Sequence, residues 1–367
     1  MTPRLTATLR TRAALGLRPV TAPVMVFVPI GVALGPMALG ILSDAVLQHL
    51  DVVISIALAT LGVFIGIATG RRSQNFARLL TASTVEAATT IVVVSGSILI
   101  LIGVWQLPLL LPAGIAALAL GICASASAAP SVDAGDHTPR GMAARVADLD
   151  DVLPIALGGV LLVMAAPREG SIAWHAGVGV AIGAGIAAAG LLLIRGTEDP
   201  AERAVFVLGQ LALLGGCAAY LVLSPLLTGM SAGLFWAVAP GQTDRVVARE
   251  LDKVQHPLIV LLLVIGGASI AGISLAGLWL FAPYVVFRLA GKLLGSWVAS
   301  KVSAALTGVD LGMHLIAPGV IGIAFALNLH QAVGHPADVI VFAVCAGAIA
   351  SELVAMIVTP VTAPVAE

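Results

Sequence analysis

The sequence predicts an all-α polytopic membrane protein of about 12 transmembrane helices, and three observations carry that prediction. Hydrophobic residues make up 59% of the 367 residues and charged residues only 10%, with a mean hydropathy of +1.09. A soluble chain of this size would need far more polar surface to cover its core. Twelve apolar segments can be drawn, each near the roughly 20 residues that a bilayer requires. The basic residues then distribute to one side of those segments, as the positive-inside rule demands.

In order, the stretch 1–19 is basic and carries no acid, and is read as a cytoplasmic N-terminus. No small-residue cleavage site follows it, so the next apolar run is read as a retained span. The spans are placed at 20–42, 51–69, 82–104, 107–134, 142–165, 172–194, 204–223, 226–240, 256–271, 273–300, 309–330 and 337–361. Residues 363–367 form a short cytoplasmic tail, and 20–362 a single transmembrane domain. With the N-terminus inside, fifteen of the 18 basic residues fall on the cytoplasmic side and Arg168 alone outside. Arg288 and Lys292 remain within span ten. Both termini are therefore expected in the cytoplasm. The 40 glycines and 20 prolines point to close helix packing and interrupted helices. Spans one to five and eight to twelve, offset by seven, are expected to form inverted repeats.

Net charge is -1, which argues against a nucleic-acid partner. The three cysteines stand singly in apolar segments and read as packing residues. Neither a phosphate-binding loop nor a metal-cluster spacing occurs, so no cofactor is expected and the chain is not read as an enzyme.

The informative stretch is "VADLDDVLPIAL", residues 146–157. Asp150 and Asp151 lie eight to nine residues into span five, roughly 12–14 Å at 1.5 Å per residue. Lys292 is nine residues from the opposite-running end of span ten, at nearly the same depth. A carboxylate pair and an ammonium at one level offset each other's desolvation. Asp148, nearer the surface, fits a cap or an entrance; the bland reading of all three acids is a first-turn cap at the surface. Ser125 and Ser127, before Pro130 in "CASASAAPSVDAG", and Pro318-Gly319 in "HLIAPGVIG" fall on the same level and suit breaks in the helices of spans four and eleven, with close packing the other reading of the two serines; the expected architecture has these two broken helices cross. Glu352 in span twelve is at that depth too. Glu86, near the start of span three, is read as vestibular. His314 is the one histidine near a core span, and carries at most a pH-sensing role.

Taken together these stretches resemble bacterial sodium/proton antiporters of the cation:proton antiporter superfamily, of the paired-aspartate type. "VADLDDVLPIAL" resembles their paired-aspartate helix. "APVMVFVPIGVALGP" is similar to the family's "vGyilaGillGP", "LGVFIGIATG" to "lllFliGle", and "LTGMSAGLFWAV" to "lGAFlaGl". "FRLAGKLLGSWVA" resembles the lysine-bearing helix, and "VTP" at 358–360 the end of the last helix. The resemblance covers about residues 20–362. It implies exchange of a monovalent cation, Na+ foremost with Li+ or K+ as others, for protons across the bacterial cytoplasmic membrane by alternating access. It further implies a homodimer and a mobile core (82–165 and 273–361) against a scaffold of the other spans. Asp151 would be the principal ion ligand, with Asp150 pairing with Lys292 in the proton-loaded state. If Lys292 also released a proton, two protons would exchange for one cation and move charge. Two departures stand out: the additional first helix of many relatives is absent, and the common "PRGE" of span eleven reads "APGV" (317–320). The rival expectation is a sodium-coupled symporter of an organic solute, for which Asn328 and Gln106 are the polar residues a cavity would draw on.

Overall fold

The computed structural model describes residues 23–70, 76–127, 139–166, 171–197, 199–239, 243–270, 272, 275–303 and 311–358. The basic N-terminus 1–19, Pro130, the tail 363–367 and the "TP" of the final "VTP" lie outside them, as does the side chain of His314. The helices are α1 (Pro23–Leu34), α2 (Asp44–His49), α3 (Asp51–Gly70), α4 (Phe76–Trp105), α5 (Ala113–Ser125), α6 (Pro139–Asp150), α7 (Val152–Ala165) and α8 (Ile172–Gly196). They continue with α9 (Pro200–Tyr220), α10 (Pro225–Val238), α11 (Thr243–Ala268), α12 (Leu275–Val302), α13 (Leu311–His314), α14 (Val320–Val333) and α15 (Asp338–Val358). Among the described residues the one piece of β pairing is an isolated bridge between Ser127 and Pro318.

Seven of these helices are long and apolar enough to cross a membrane, and α1, α5, α10 and α14 are shorter apolar helices. With α6 and α7 counted as one interrupted span, each segment expected from the sequence has its helix. The protein is a multi-pass helical membrane protein. Large apolar side chains such as Val92, Ile100, Leu192 and Ile357 stand exposed along the helices, where lipid replaces the core as their apolar partner.

Several boundaries differ from the hydropathy reading, those of the ninth and fourth spans among them. The ninth span extends back to Thr243 rather than starting near 256. Its first half, "TDRVVARELDKVQ", is charged, and the helix continues through it on one buried stripe that includes Val247 and Leu251. The fourth span begins at Ala113 rather than 107, because Pro112 occupies its N-cap.

Packing sorts the helices into neighbours. The closest pair is α3 with α10; α1 lies along α11, and α8 and α9 complete that side. On the other side α4 packs on α12 and α5, and α12 on α15. Exchanging spans one and two for eight and nine converts the α1–α11 pair into the α10–α3 pair. That is the pairing expected of inverted repeats.

The α3–α10 contact depends on glycine. A Cβ at Gly62 or Gly66 would run into the backbone of α10 at Leu226 or Met230, and a Cβ at Gly229 or Gly233 into the carbonyls of Ala59 or Val63. Backbone meets backbone, so no side chain can give way. Gly229→Val is expected to destabilise the protein by about 1–3 kcal/mol, the usual range for overpacking. Gly96→Val, on an exposed face of α4 with nothing within 4 Å, serves as the control. Thermal unfolding of the two variants in detergent checks this; similar melting temperatures would refute the close-packing argument.

Candidate functional site

The site forms where two helices stop in mid-span. At its C-terminal end α5 runs into Ala126, whose backbone is extended (φ -69°, ψ 134°). Opposite it, Pro318 and Gly319 precede α14, with Gly319 extended as the N-cap (φ -78°, ψ 151°). Proline lacks an N–H and pushes the residue before it out of the helical region, so the break at 315–319 is written into "LIAPG". The two unwound strands pair with each other. Gly319 N donates to Ala126 O at 3.3 Å, and Ser127 bridges Pro318. A Cβ on Gly319 would strike the Ser127 backbone. The expected crossing of two broken helices is present.

Arg288 holds this crossing from α12. It is buried and donates to Ile316 O at 2.7 Å, Ala126 O at 3.1 Å and Ala317 O at 3.5 Å. One guanidinium thus satisfies carbonyls released by both breaks, which unsatisfied would each carry a desolvation cost. The arginine that the family pattern would place in span eleven is missing from "APGV". The arginine that binds this crossing comes from span ten.

A third interruption separates α6 from α7. Pro154 cannot donate to the carbonyl of Asp150 four residues earlier, and the helix turns over at Asp151. Asp151 occupies the N-cap position of α7, yet its side chain makes no capping bond. The surface-cap reading of these acids therefore fails for Asp151. It fails for Asp150 as well, because Asp150 is wholly buried and Asp151 is only 7% exposed. Asp148 is half-buried.

Asp150 and Lys292, placed at one depth from separate segments, meet: Nζ lies 3.0 Å from Asp150 Oδ2. Ser127 Oγ donates to the same Oδ2 at 2.8 Å and approaches Leu315 O at 3.3 Å. Lys292 also donates to the carbonyl of Ser125. The two serines thus act differently. Ser127 offers its hydroxyl to the carboxylate, whereas Ser125 spends its hydroxyl on Ile122 O at 2.8 Å and offers only its backbone. Asp150 Oδ1 and Asp151 Oδ1 are buried with no hydrogen-bond partner among the described residues.

Glu86 corrects the sequence reading. Expected at a vestibule, it is fully buried, with Oε1 3.2 Å from Lys292 Nζ and accepting from Thr90 Oγ1 at 3.1 Å. The depth count from the start of span three missed it because α4 begins at Phe76, six residues earlier than the apolar segment, which carries Glu86 further into the bundle. A signal was available: a lone carboxylate flanked by "TV" and "AATT" at helical spacing from small hydroxyl residues. Glu352 is half-buried on α15, within electrostatic range of Arg288, and none of the site's hydrogen bonds reaches it.

The residues drawn on for a solute cavity do not come together. Gln106 is exposed at the end of α4, while Asn328 donates to Ser224 Oγ at 3.2 Å. Asn328 lines a cavity of about 140 Å³ between α3, α8, α10 and α14, below the 300–1,000 Å³ usual for organic ligands.

Fold and site together define a class: a helical membrane protein built around two crossed, interrupted helices with paired charges at the crossing. No protein-family model matches the chain, and no curated protein is detectably similar to it in sequence. Its structure is similar to that of the sodium proton antiporter MjNhaP1 from Methanocaldococcus jannaschii at pH 8, with a TM-score of 0.65 over 96% of both chains at 16% identity. The chain has the sodium/proton antiporter fold.

Arg288 offers a direct check of the crossing. Arg288→Met would leave the carbonyls at 126, 316 and 317 buried without a charged donor. A loss of about 3 kcal/mol or more is expected, read as a lower melting temperature in detergent. A stability equal to that of the unaltered protein would refute the role given to Arg288.

Proposed function

We propose that the protein exchanges a monovalent cation for protons across the cytoplasmic membrane, with Asp151 and Asp150 as the groups that hold either. The observation that carries the reading is the buried carboxylate pair beside Lys292, with one oxygen of each aspartate unpartnered, at the crossing of two broken helices. Unpaired buried carboxylate oxygens are costly, and a dehydrated cation or a proton relieves that cost equally well. Carbonyls freed at the breaks are the further ligands such a cation would use. The fold shared with a sodium proton antiporter supports the same reading, and Na+ is the cation we assign first. Transport, not catalysis, is the activity.

Access alternates by movement of a core (α4–α7 and α12–α15) against a scaffold of the remaining helices. Polar contacts support a boundary there: Asn328 to Ser224 and Gln331 Nε2 to Asp51 O at 2.9 Å tie α14 to the scaffold. The orientation, with both ends in the cytoplasm, rests on the bias of the basic residues, and the homodimer on the family resemblance.

Coupling follows from formal charge. Asp150, Asp151 and Glu86 oppose Lys292 and Arg288 within the buried set, an excess of one negative charge that a single monovalent cation or a single proton neutralises. One-for-one exchange is therefore the assignment.

Asp151→Asn should abolish cation-dependent dissipation of a pH gradient in everted membrane vesicles; activity surviving that change would refute the antiport assignment. In proteoliposomes, exchange by the unaltered protein should be indifferent to an imposed membrane potential. Each net charge moved would contribute roughly 2.3 kcal/mol per 100 mV, so a marked dependence would exclude one-for-one coupling.

A further inference from the structure

Lys292 has two carboxylate partners where its pairing role needs one. Its ammonium has three donors, and the structure uses them on Asp150, Glu86 and the carbonyl of Ser125. All three side chains are fully buried. In order of contact the charges run Asp151, Asp150, Lys292, Glu86. Asp150 adjoins the ion-side aspartate. Glu86 comes from a different helix, anchored by Thr90 Oγ1 and backed by Gly291 and Gly295, where an added Cβ would press on Thr90 and on the Glu86 backbone. Two glycines one turn apart on α12 thus let α4 come close enough for Glu86 to reach the lysine.

A cation arriving at Asp150 and Asp151 meets a difficulty. If Lys292 stays on Asp150, two positive charges share one carboxylate; if it leaves with no partner, a bare ammonium is buried. Resting on the antiport reading, we propose that Glu86 is a positioning residue which takes over the Lys292 ion pair when a monovalent cation engages Asp150 and Asp151. The hand-over needs only a shift of the flexible lysine tip between two carboxylates it already touches. The other charged groups near the set are Arg288, committed to three backbone carbonyls, and the half-buried Asp148 and Glu352.

The experiment measures the Na+ dependence of exchange in proteoliposomes and of thermal stabilisation of the purified protein. Glu86→Gln should raise the Na+ KM by about tenfold or more while kcat changes by less than about threefold, and Glu86→Asp should restore part of the loss. In a Lys292→Gln background there is no ammonium to relocate, so adding Glu86→Gln should shift Na+ stabilisation by less than about twofold. A Na+ KM unchanged in Glu86→Gln overturns the proposal. So does a rise that recurs in full in the Lys292→Gln background, which would make Glu86 merely a source of negative field. Should Glu86→Gln yield no folded protein, Thr90→Val carries the test: releasing the Glu86 anchor should raise the Na+ KM about threefold, and no change there refutes the hand-over. Absence of any cation-dependent proton exchange in the unaltered protein would instead remove the antiport reading itself.

Discussion

The structure is organised around one ammonium. Lys292 enters a region where an isolated charge is prohibitively costly, and three helices supply what makes it tolerable: Asp150 from the end of α6, Glu86 from α4 and the carbonyl end of α5. Each of those groups would itself be costly without the lysine. The cluster therefore requires these segments to meet at one depth, and misplacing any one of them would strand a buried charge.

Breaking helices inside a membrane carries the same liability for the backbone. The two unwound segments at 126–127 and 315–319 answer it by pairing with each other and by sharing the Arg288 guanidinium. Among the buried polar atoms left without a partner, Asp150 Oδ1 and Asp151 Oδ1 are two carboxylate oxygens from adjacent residues at this crossing. Unpartnered carboxylate oxygens in a buried pair are groups that a cation or a proton would satisfy.

Glycine distribution sets where the protein is rigid. Gly62, Gly66, Gly229 and Gly233 bring α3 and α10 into backbone contact, and Gly291 and Gly295 do the same for α12 and α4 beside the charge cluster. Between these two well-packed groups, Asn328 donates to Ser224 Oγ and Gln331 to Asp51 O.

Much of this was readable from the chain alone, because desolvation cost is a property of residue type and depth. Hydropathy placed the spans. Counting residues from span ends put Asp150 level with Lys292, and the structure brings them to 3.0 Å. Proline and glycine at 318–319 announced their break for the same local reason. Glu86 was not readable in this way. Its depth depended on where α4 starts, and Phe76–Leu80 is helical because of the neighbours it packs on, not because of its hydropathy. The division of labour between Ser125 and Ser127, the reach of Arg288 to both breaks and the second partner of Lys292 belong to the tertiary structure alone. Those facts depend on which side chains from distant segments arrive within about 3 Å of each other, as hydrogen bonds require. One-dimensional spacing resolves depth to a helical turn, and a hydrogen bond is decided within a fraction of that.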